Sequence, residues 1–226
     1  MVAIYCDGAD LDRMEALAED ERIEGFTTNP SLMKKAGVTD YHDFAIEVLA
    51  ATQGKPVSFE VLADDFPTME RQARQIASWG RHVFVKIPVT NCAGKPSYDL
   101  IHALSVSGVN VNVTAVFTAE QARHSIDALA GQGIVSVFAG RIADTGVDPR
   151  RVLRSARAKI TSENVKLLWA SAREIYNYRQ AEDGYCDIIT LSPELIAKLD
   201  GFGRDLAEYS LETVRQFSRD SQGITL

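Results

Sequence analysis

Val83-Phe84-Val85-Lys86-Ile87-Pro88 is an apolar, β-branched segment that carries a single lysine. This composition predicts a strand covered on both faces, as in a parallel sheet. An amine in that setting loses hydration, which disfavours its charged form, and a neutral amine can attack a carbonyl group to form a Schiff base. The segment alone favours a lysine that reaches from the strand end into water. The rest of the chain has to decide between the two.

Short apolar runs alternate with longer amphipathic stretches along the whole chain. The helical period is clearest in Asp64–Trp79, where Phe66, Met69, Ala73 and Ile76 share one face. Candidate strands, separated by candidate helices, are Val2–Cys6, Gly25–Thr27, Val57–Glu60, His82–Ile87, Asn110–Thr114, Ile134–Phe138, Lys166–Ala170 and Cys186–Thr190. Eight strand–helix units in 226 residues predict an α/β fold, a single (β/α)8 TIM barrel.

A doubly wound open sheet is the alternative, but no GxGxxG motif follows the first strand. No Pro/Gly-rich linker, low-complexity tract or change in composition divides the chain. We therefore expect one barrel domain over residues 1–226, with an additional C-terminal helix at 202–221. That helix carries apolar residues such as Leu206, Val214 and Phe217, and it could pack on the barrel or on a neighbouring subunit.

The composition excludes several classes of protein. A net charge of −7 argues against a nucleic-acid partner, although a local basic pocket could still bind a small anion. Cys6, Cys92 and Cys186 are far apart and form no CxxC pair, which indicates reduced thiols in a cytoplasmic protein. The four histidines show no HxH or HxxxH spacing, so no metal site is expected. Residues 1–7 lack a basic start and a long apolar run, so neither a signal peptide nor a membrane partner is expected.

Functional residues of a (β/α)8 barrel lie at the carboxyl ends of the strands. Polar residues occur at or just beyond the end of most predicted strands, and one phenylalanine joins them. The residues are Asp7, Thr27, Asn29, Ser58, Glu60, Lys86, Asn112, Thr114, Ser136, Phe138, Arg141, Ser171 and Arg173. Any one of them is more often a helix cap, a turn residue or a surface ion-pair partner. Their common position at one rim predicts a shared site.

Five segments at this rim resemble the signature segments of the transaldolase family. They are Thr27-Thr28-Asn29-Pro30-Ser31, Val85-Lys86-Ile87-Pro88, Asn112-Val113-Thr114, Gly140-Arg141-Ile142 and Ala170-Ser171-Ala172-Arg173. They occur in the family's order and spacing, and the resemblance extends to about Leu199. The short chain resembles the small-subunit branch, which also contains the fructose-6-phosphate aldolases. The resemblance implies a (β/α)8 barrel, Schiff-base chemistry without metal or other cofactor, sugar phosphate substrates and a homo-oligomer.

The resemblance also implies a role for each residue of the rim. Lys86 would condense with the C2 carbonyl of a ketose. Glu60 and Thr114 would hold a water that moves protons, and Asp7 would take the C4 hydroxyl proton as the C3–C4 bond breaks. Residues implied to bind the substrate are Thr27, Asn29, Ser58, Asn112, Ser136 and Phe138, with Arg141, Ser171 and Arg173 at its terminal phosphate.

Two positions separate transfer from simple cleavage in the family. Transaldolases tend to have glutamate on strand three and phenylalanine on strand six, where fructose-6-phosphate aldolases have glutamine and tyrosine. Glu60 and Phe138 therefore indicate a transaldolase, which moves a dihydroxyacetone unit from fructose 6-phosphate or sedoheptulose 7-phosphate to an aldose phosphate. Phenylalanine has no hydroxyl group to support protonation of the carbanion, so the intermediate would persist until an acceptor arrives.

Other functions stay open at this stage. A fructose-6-phosphate aldolase is the nearest alternative. Residues 90–97 and the segment after Arg173 depart from the small-subunit pattern, so a modified sugar, for example a sulfonate, could be the substrate. A barrel that binds sugar phosphates without turning them over is the alternative outside enzymes, but such a protein has no need for a desolvated lysine.

Overall fold

Eight parallel strands close into a barrel, in which each strand pairs with the next one along the chain and the last pairs with the first. The computed structural model describes residues 1–183 and 185–225. The strands are β1 (Ala3–Asp7), β2 (Ile23–Thr27), β3 (Val57–Glu60), β4 (Val83–Pro88), β5 (Val111–Val116), β6 (Gly133–Val137), β7 (Val165–Trp169) and β8 (Ile188–Leu191). The predicted (β/α)8 barrel is confirmed, and the open sheet is ruled out.

Helices follow the strands along the chain. They are α1 (Leu11–Ala18), α2 (Pro30–Lys35), α3 (Tyr41–Ala51), α4 (Phe66–Ala77), α5 (Tyr98–Val106), α6 (Ala119–Ala128), α7 (Ala139–Ala143), α8 (Arg150–Lys159), α9 (Tyr176–Glu182), α10 (Pro193–Ile196) and α11 (Leu206–Asp220). A 3-10 turn, Ala197–Gly201, follows α10. Among these described helices, none is long and apolar enough to cross a membrane.

Two short helices, α2 and α7, were not predicted. Both are too short to show an apolar period, and each directly follows the carboxyl end of a strand. Helix α2 begins at an Asn-Pro pair: the Asn29 side chain accepts a hydrogen bond from the Leu32 backbone N–H at 3.0 Å, and Pro30 occupies the first turn. The Asn29-Pro30 pair thus starts a helix.

The strand register decides which residues share the barrel interior. Lys86 is paired with Glu60 on one side and Asn112 on the other, and Asp7 is paired with Thr27. Since side chains alternate along a strand, paired residues point to the same face. Beneath this polar layer lies an apolar cluster, which contains Tyr5 and Phe84, two positions before Asp7 and Lys86, together with Ile134, Leu168, Ala170 and Ile188.

The chain divides into two compact units, residues 1–196 and the residues from 197 onward. The first unit holds the complete barrel. The second contains α11, which starts with Asp205 as its N-cap and has no buried residue. The expected terminal helix is therefore present, although it begins at Leu206 and not at 202. A single domain over the whole chain stays a prediction.

Candidate active site

Lys86 lies in the interior of the barrel, and only 6% of its surface is exposed. Its Nζ donates a hydrogen bond to the Thr28 carbonyl at 2.7 Å and lies 2.9 Å from Oε2 of Glu60. The side chain therefore does not reach from the strand end into water. The sequence suggested a neutral amine, whereas the structure gives the amine a carboxylate partner. This geometry is that of an ammonium–carboxylate pair, and Glu60 is within reach to receive a proton from the amine.

Asp7 ends β1 and takes part in a chain of hydrogen bonds. Oγ1 of Thr27 donates to Oδ1 of Asp7 at 2.8 Å and lies 2.7 Å from Oγ1 of Thr190. Since the one hydroxyl hydrogen of Thr27 is used by Asp7, Thr190 is the donor in the second bond. Burial raises the pKa of the Asp7 carboxyl above its ordinary value; the Lys86 charge and the Thr27 hydrogen bond lower this pKa, and Glu60 raises it.

Thr190 is a site residue that the sequence reasoning missed. It lies on β8 beside β1, because closure of the barrel joins the first and last strands. The rule that selected the other residues, a polar side chain near the carboxyl end of a strand, also fits Thr190. No motif of the resemblance covers this position, and so it was passed over.

A buried group of hydroxyl and amide side chains lies next to Lys86. Nδ2 of Asn112 donates to Oγ of Ser58 at 3.1 Å, and Oγ of Ser136 donates to Oδ1 of Asn112 at 2.7 Å. These bonds distinguish the two ends of the amide and hold it in one orientation. An ordered donor and acceptor beside the amine suit the hydroxyl groups of a sugar.

Thr114 lies above this group on β5, and its hydroxyl is buried without a hydrogen-bond partner among the described residues. The next residue, Ala115, has a φ of 57°, and the register with β6 shifts between Val113 and Val116. Ala115 thus adopts a left-handed conformation that alanine rarely takes. The hydroxyl of Thr114 is available to a water or substrate, as its proposed role requires.

These side chains line a cavity of about 350 Å³ at the carboxyl ends of the strands. All of the predicted site residues line it except Ser58 and Arg173. A larger cavity, of about 790 Å³, lies around Ala3, Lys166 and Ile188 at the amino ends of the strands, and it contains none of the predicted residues. The residues that line a cavity therefore identify the site better than the volume of the cavity does. No cluster of three or more potential metal ligands occurs in the described part of the chain.

The arginines predicted to bind phosphate have different surroundings. Arg141, on α7, places its guanidinium 5.2 Å from the centre of the Phe138 ring and lines the cavity. Arg173 is instead bonded to Asp144, with its Nε 3.1 Å from both carboxylate oxygens. Ser171 lines the cavity and has a φ of 61°. The structure thus brings Arg141 and Ser171 to the cavity and holds Arg173 against a carboxylate.

Gly140 explains how this end of the site is assembled. A Cβ atom at this position would lie 1.6 Å from the Ser171 carbonyl oxygen. Only glycine permits α7 and the loop after β7 to approach this closely. The approach brings Arg141 and Ser171 to the same side of the cavity.

The closed barrel and its lysine-centred cavity define a (β/α)8-barrel enzyme. The model of the Transaldolase/Fructose-6-phosphate aldolase family matches residues 4–225. A protein of Hyphomonas neptunium named "Probable transaldolase" is 34% identical over 92% of this chain and 93% of its own length. One of Methanococcus maripaludis with the same name is 31% identical over 92% of this chain and 93% of its own length. The chain belongs to the transaldolase/fructose-6-phosphate aldolase family.

Solved structures of low sequence identity share the fold. A mandelate oxidase superposes with a TM-score of 0.60 at 16% identity, over 98% of this chain and 74% of that one. A dihydrodipicolinate synthase from Rhodopseudomonas palustris has a TM-score of 0.56 at 12% identity, over 84% of this chain and 69% of that one. At such identities the likeness shows the barrel fold alone.

Proposed function

We propose that this enzyme is a transaldolase that transfers a dihydroxyacetone unit from a ketose phosphate to an aldose phosphate through a Schiff base on Lys86. Fructose 6-phosphate and sedoheptulose 7-phosphate are the proposed donors. The observation that carries the proposal is the buried Lys86 amine, 2.9 Å from the Glu60 carboxylate in a cavity that Asp7 also lines. The family match supports the same reaction class.

Schiff-base formation would begin with proton transfer from the Lys86 ammonium group to Glu60. The neutral amine attacks the ketose C2, and the resulting carbinolamine loses its hydroxyl group as water, with Glu60 returning the proton. The product is an iminium ion that can accept electrons. A water held between Glu60 and the Thr114 hydroxyl would serve as the proton carrier.

Carbon–carbon cleavage then uses the second carboxylate of the site. Asp7 accepts the proton of the C4 hydroxyl group, the C3–C4 bond breaks, and its electron pair moves into the iminium group. An aldose phosphate leaves, and a three-carbon enamine stays on Lys86. The enamine attacks the aldehyde carbon of an acceptor, Asp7 returns its proton, and hydrolysis of the new iminium releases the ketose product.

Phe138 favours transfer over simple cleavage. Its ring lines the cavity but has no hydroxyl group, so this position offers no proton to the enamine. The intermediate therefore waits for an aldehyde acceptor. We further propose that the enzyme is a homo-oligomer, as the family resemblance implies, and that it acts in the cytoplasm, since Cys6, Cys92 and Cys186 are free thiols.

Reductive trapping tests the covalent intermediate. The enzyme is incubated with fructose 6-phosphate and sodium borohydride, and the modified peptide is located by mass spectrometry. We expect an adduct on Lys86 that requires the sugar and is absent from the Lys86→Met variant. An unmodified Lys86, under conditions that label a known family member, would contradict the proposal.

Acceptor dependence distinguishes transfer from cleavage. Glyceraldehyde 3-phosphate release from fructose 6-phosphate is measured with and without erythrose 4-phosphate. We expect sustained turnover only with the acceptor, and a rise in acceptor-free cleavage in Phe138→Tyr. Fast cleavage by the native enzyme without acceptor would identify a fructose-6-phosphate aldolase instead.

A further inference from the structure

Asp144 forms an ion pair with Arg173, which is one of the two arginines expected to bind the terminal phosphate. Nε of Arg173 donates to both carboxylate oxygens at 3.1 Å, and Nη2 forms a further bond to Oδ2. This is the forked geometry in which guanidinium binds a planar anion most strongly. The carboxylate thus occupies the Nε–Nη2 edge of the guanidinium group, an edge through which arginine can also bind a phosphate.

Asp144 and Arg173 both lie beside the helix that carries Arg141 into the cavity. Asp144 directly follows α7, the helix that carries Arg141 into the cavity. The Arg173 side chain passes close to the start of the same helix, where its Cγ would lie 3.2 Å from a Cβ atom at Gly140. Arg173 is therefore next to the anion-binding end of the cavity without lining it.

The ion pair is weak enough for a ligand to displace. The side chains of Arg173 and Asp144 are 51% and 49% exposed. Exposed pairs of this kind contribute little to stability. A phosphate dianion carries more charge than a carboxylate and would also be attracted by Arg141, whose guanidinium has no carboxylate partner among the described residues. A dianionic group can therefore displace Asp144 from Arg173, whereas an uncharged group has no charge with which to compete.

We propose that Asp144 is a specificity-determining residue, which competes with the terminal anion of the substrate for Arg173. A substrate with a dianionic end displaces Asp144 from Arg173 when it binds. Its affinity is lower than it would otherwise be, because the Asp144–Arg173 ion pair has to break. A substrate with an uncharged end leaves the pair intact. This inference rests on the proposed function for the identity of the substrate, but the anion-binding step can be measured separately.

The test removes the charge of Asp144 and keeps its shape. Binding of inorganic phosphate to native enzyme and to Asp144→Asn is measured by calorimetry, together with KM and kcat for fructose 6-phosphate. We expect tighter phosphate binding and a lower KM by about three- to fivefold, the size expected for loss of an exposed pair, with kcat unchanged. Borohydride trapping of dihydroxyacetone, which has no charged end, should keep its half-saturating concentration.

Asp148, a few residues after Asp144, provides a matched control. Asp148 pairs with Arg150 at 2.8 Å and is similarly exposed, at 43%, but it does not line the cavity. Asp148→Asn changes the net charge equally and should leave phosphate binding as it is. The effect of Asp144→Asn should also disappear in an Arg173→Gln background, because the two residues act as a pair.

Several results would overturn the inference. Unchanged or weaker phosphate binding in Asp144→Asn would show that Asp144 does not compete, and an equal effect of Asp148→Asn would show a general effect of charge. Persistence of the effect in Arg173→Gln would exclude Arg173 as the target. If the native enzyme forms no adduct with fructose 6-phosphate, the proposed function fails, while the phosphate calorimetry still decides the role of Asp144.

Discussion

At the scale of single residues, the site consists of charges that are buried together. Lys86 is in contact with Glu60 and faces a cavity that Asp7 shares, so one cation and two carboxylates occupy one interior. Burial raises the pKa of Asp7, and its neighbours decide how far. A general base works only when it is deprotonated, so this pKa sets the acidic limit of activity.

Removing the Thr27 hydroxyl should move the acidic limit of activity. The hydrogen bond from Thr27 stabilises the charged form of Asp7, so its loss in Thr27→Val raises the pKa of Asp7 further. The acidic limb of the pH profile of kcat/KM should therefore shift to higher pH. Thr190→Val leaves the Thr27–Asp7 bond in place and should shift the limb less. Equal profiles for native enzyme and Thr27→Val would show that Asp7 does not set the acidic limb.

At the scale of secondary-structure elements, the anion-binding end depends on how closely α7 approaches the loop after β7. Gly140 permits this approach, and Ser171 adopts a left-handed backbone conformation, which costs free energy in a residue other than glycine. The sequence motif Gly140-Arg141-Ile142 thus combines a packing residue with a binding residue. The packing residue is the less adaptable of the two, because the atom it faces belongs to the backbone.

Gly140→Ala should destabilise the fold and weaken phosphate binding together. A methyl group 1.6 Å from the Ser171 oxygen forces a backbone shift, and overpacking of this kind costs about 1–3 kcal/mol or more. For a chain of 226 residues, each kcal/mol lowers Tm by about 2–4 °C. Gly131→Ala is the control, because its nearest contact would be an ordinary 3.7 Å. Similar thermal denaturation of the two variants would contradict the packing argument.

At the scale of the whole molecule, α11 is the element whose role the barrel does not explain. All its residues are exposed except Thr213, which is half-buried, and the apolar residues Leu206, Val214 and Phe217 are more than half exposed. A helix of 15 residues has little stability by itself in water. An apolar stripe on such a helix is typical of a protein–protein contact.

We expect α11 to contribute to the proposed homo-oligomer. The double variant Val214→Glu, Phe217→Glu should lower the molar mass measured by light scattering in solution, because two charges would have to be buried in the contact. A double variant at exposed polar positions, Arg215→Glu and Arg219→Glu, is the control and should keep the native mass. A monomeric native enzyme, or equal masses for all variants, would contradict this expectation.

Much of the fold follows from patterns that are local in sequence. The alternation of apolar runs with amphipathic segments predicts eight strand–helix units, and helices with a clear period such as α4 were placed within two residues. Short elements were missed: α2 and α7 have only six and five residues, too few for a helical period to appear. The strand-end rule placed most site residues at one rim, since it depends on the geometry of parallel barrels and not on contacts between particular residues.

The sequence by itself determined the strand order, the lysine within β4 and the motifs that indicate the family. Only the tertiary structure decided the partners: Glu60 for Lys86, Thr190 for Thr27 across 163 residues, and Asp144 for Arg173 across 29. The physical reason is that apolar periodicity is a property of neighbouring residues. The partner of a polar side chain depends instead on how the barrel closes and on which of several nearby groups a long side chain can reach.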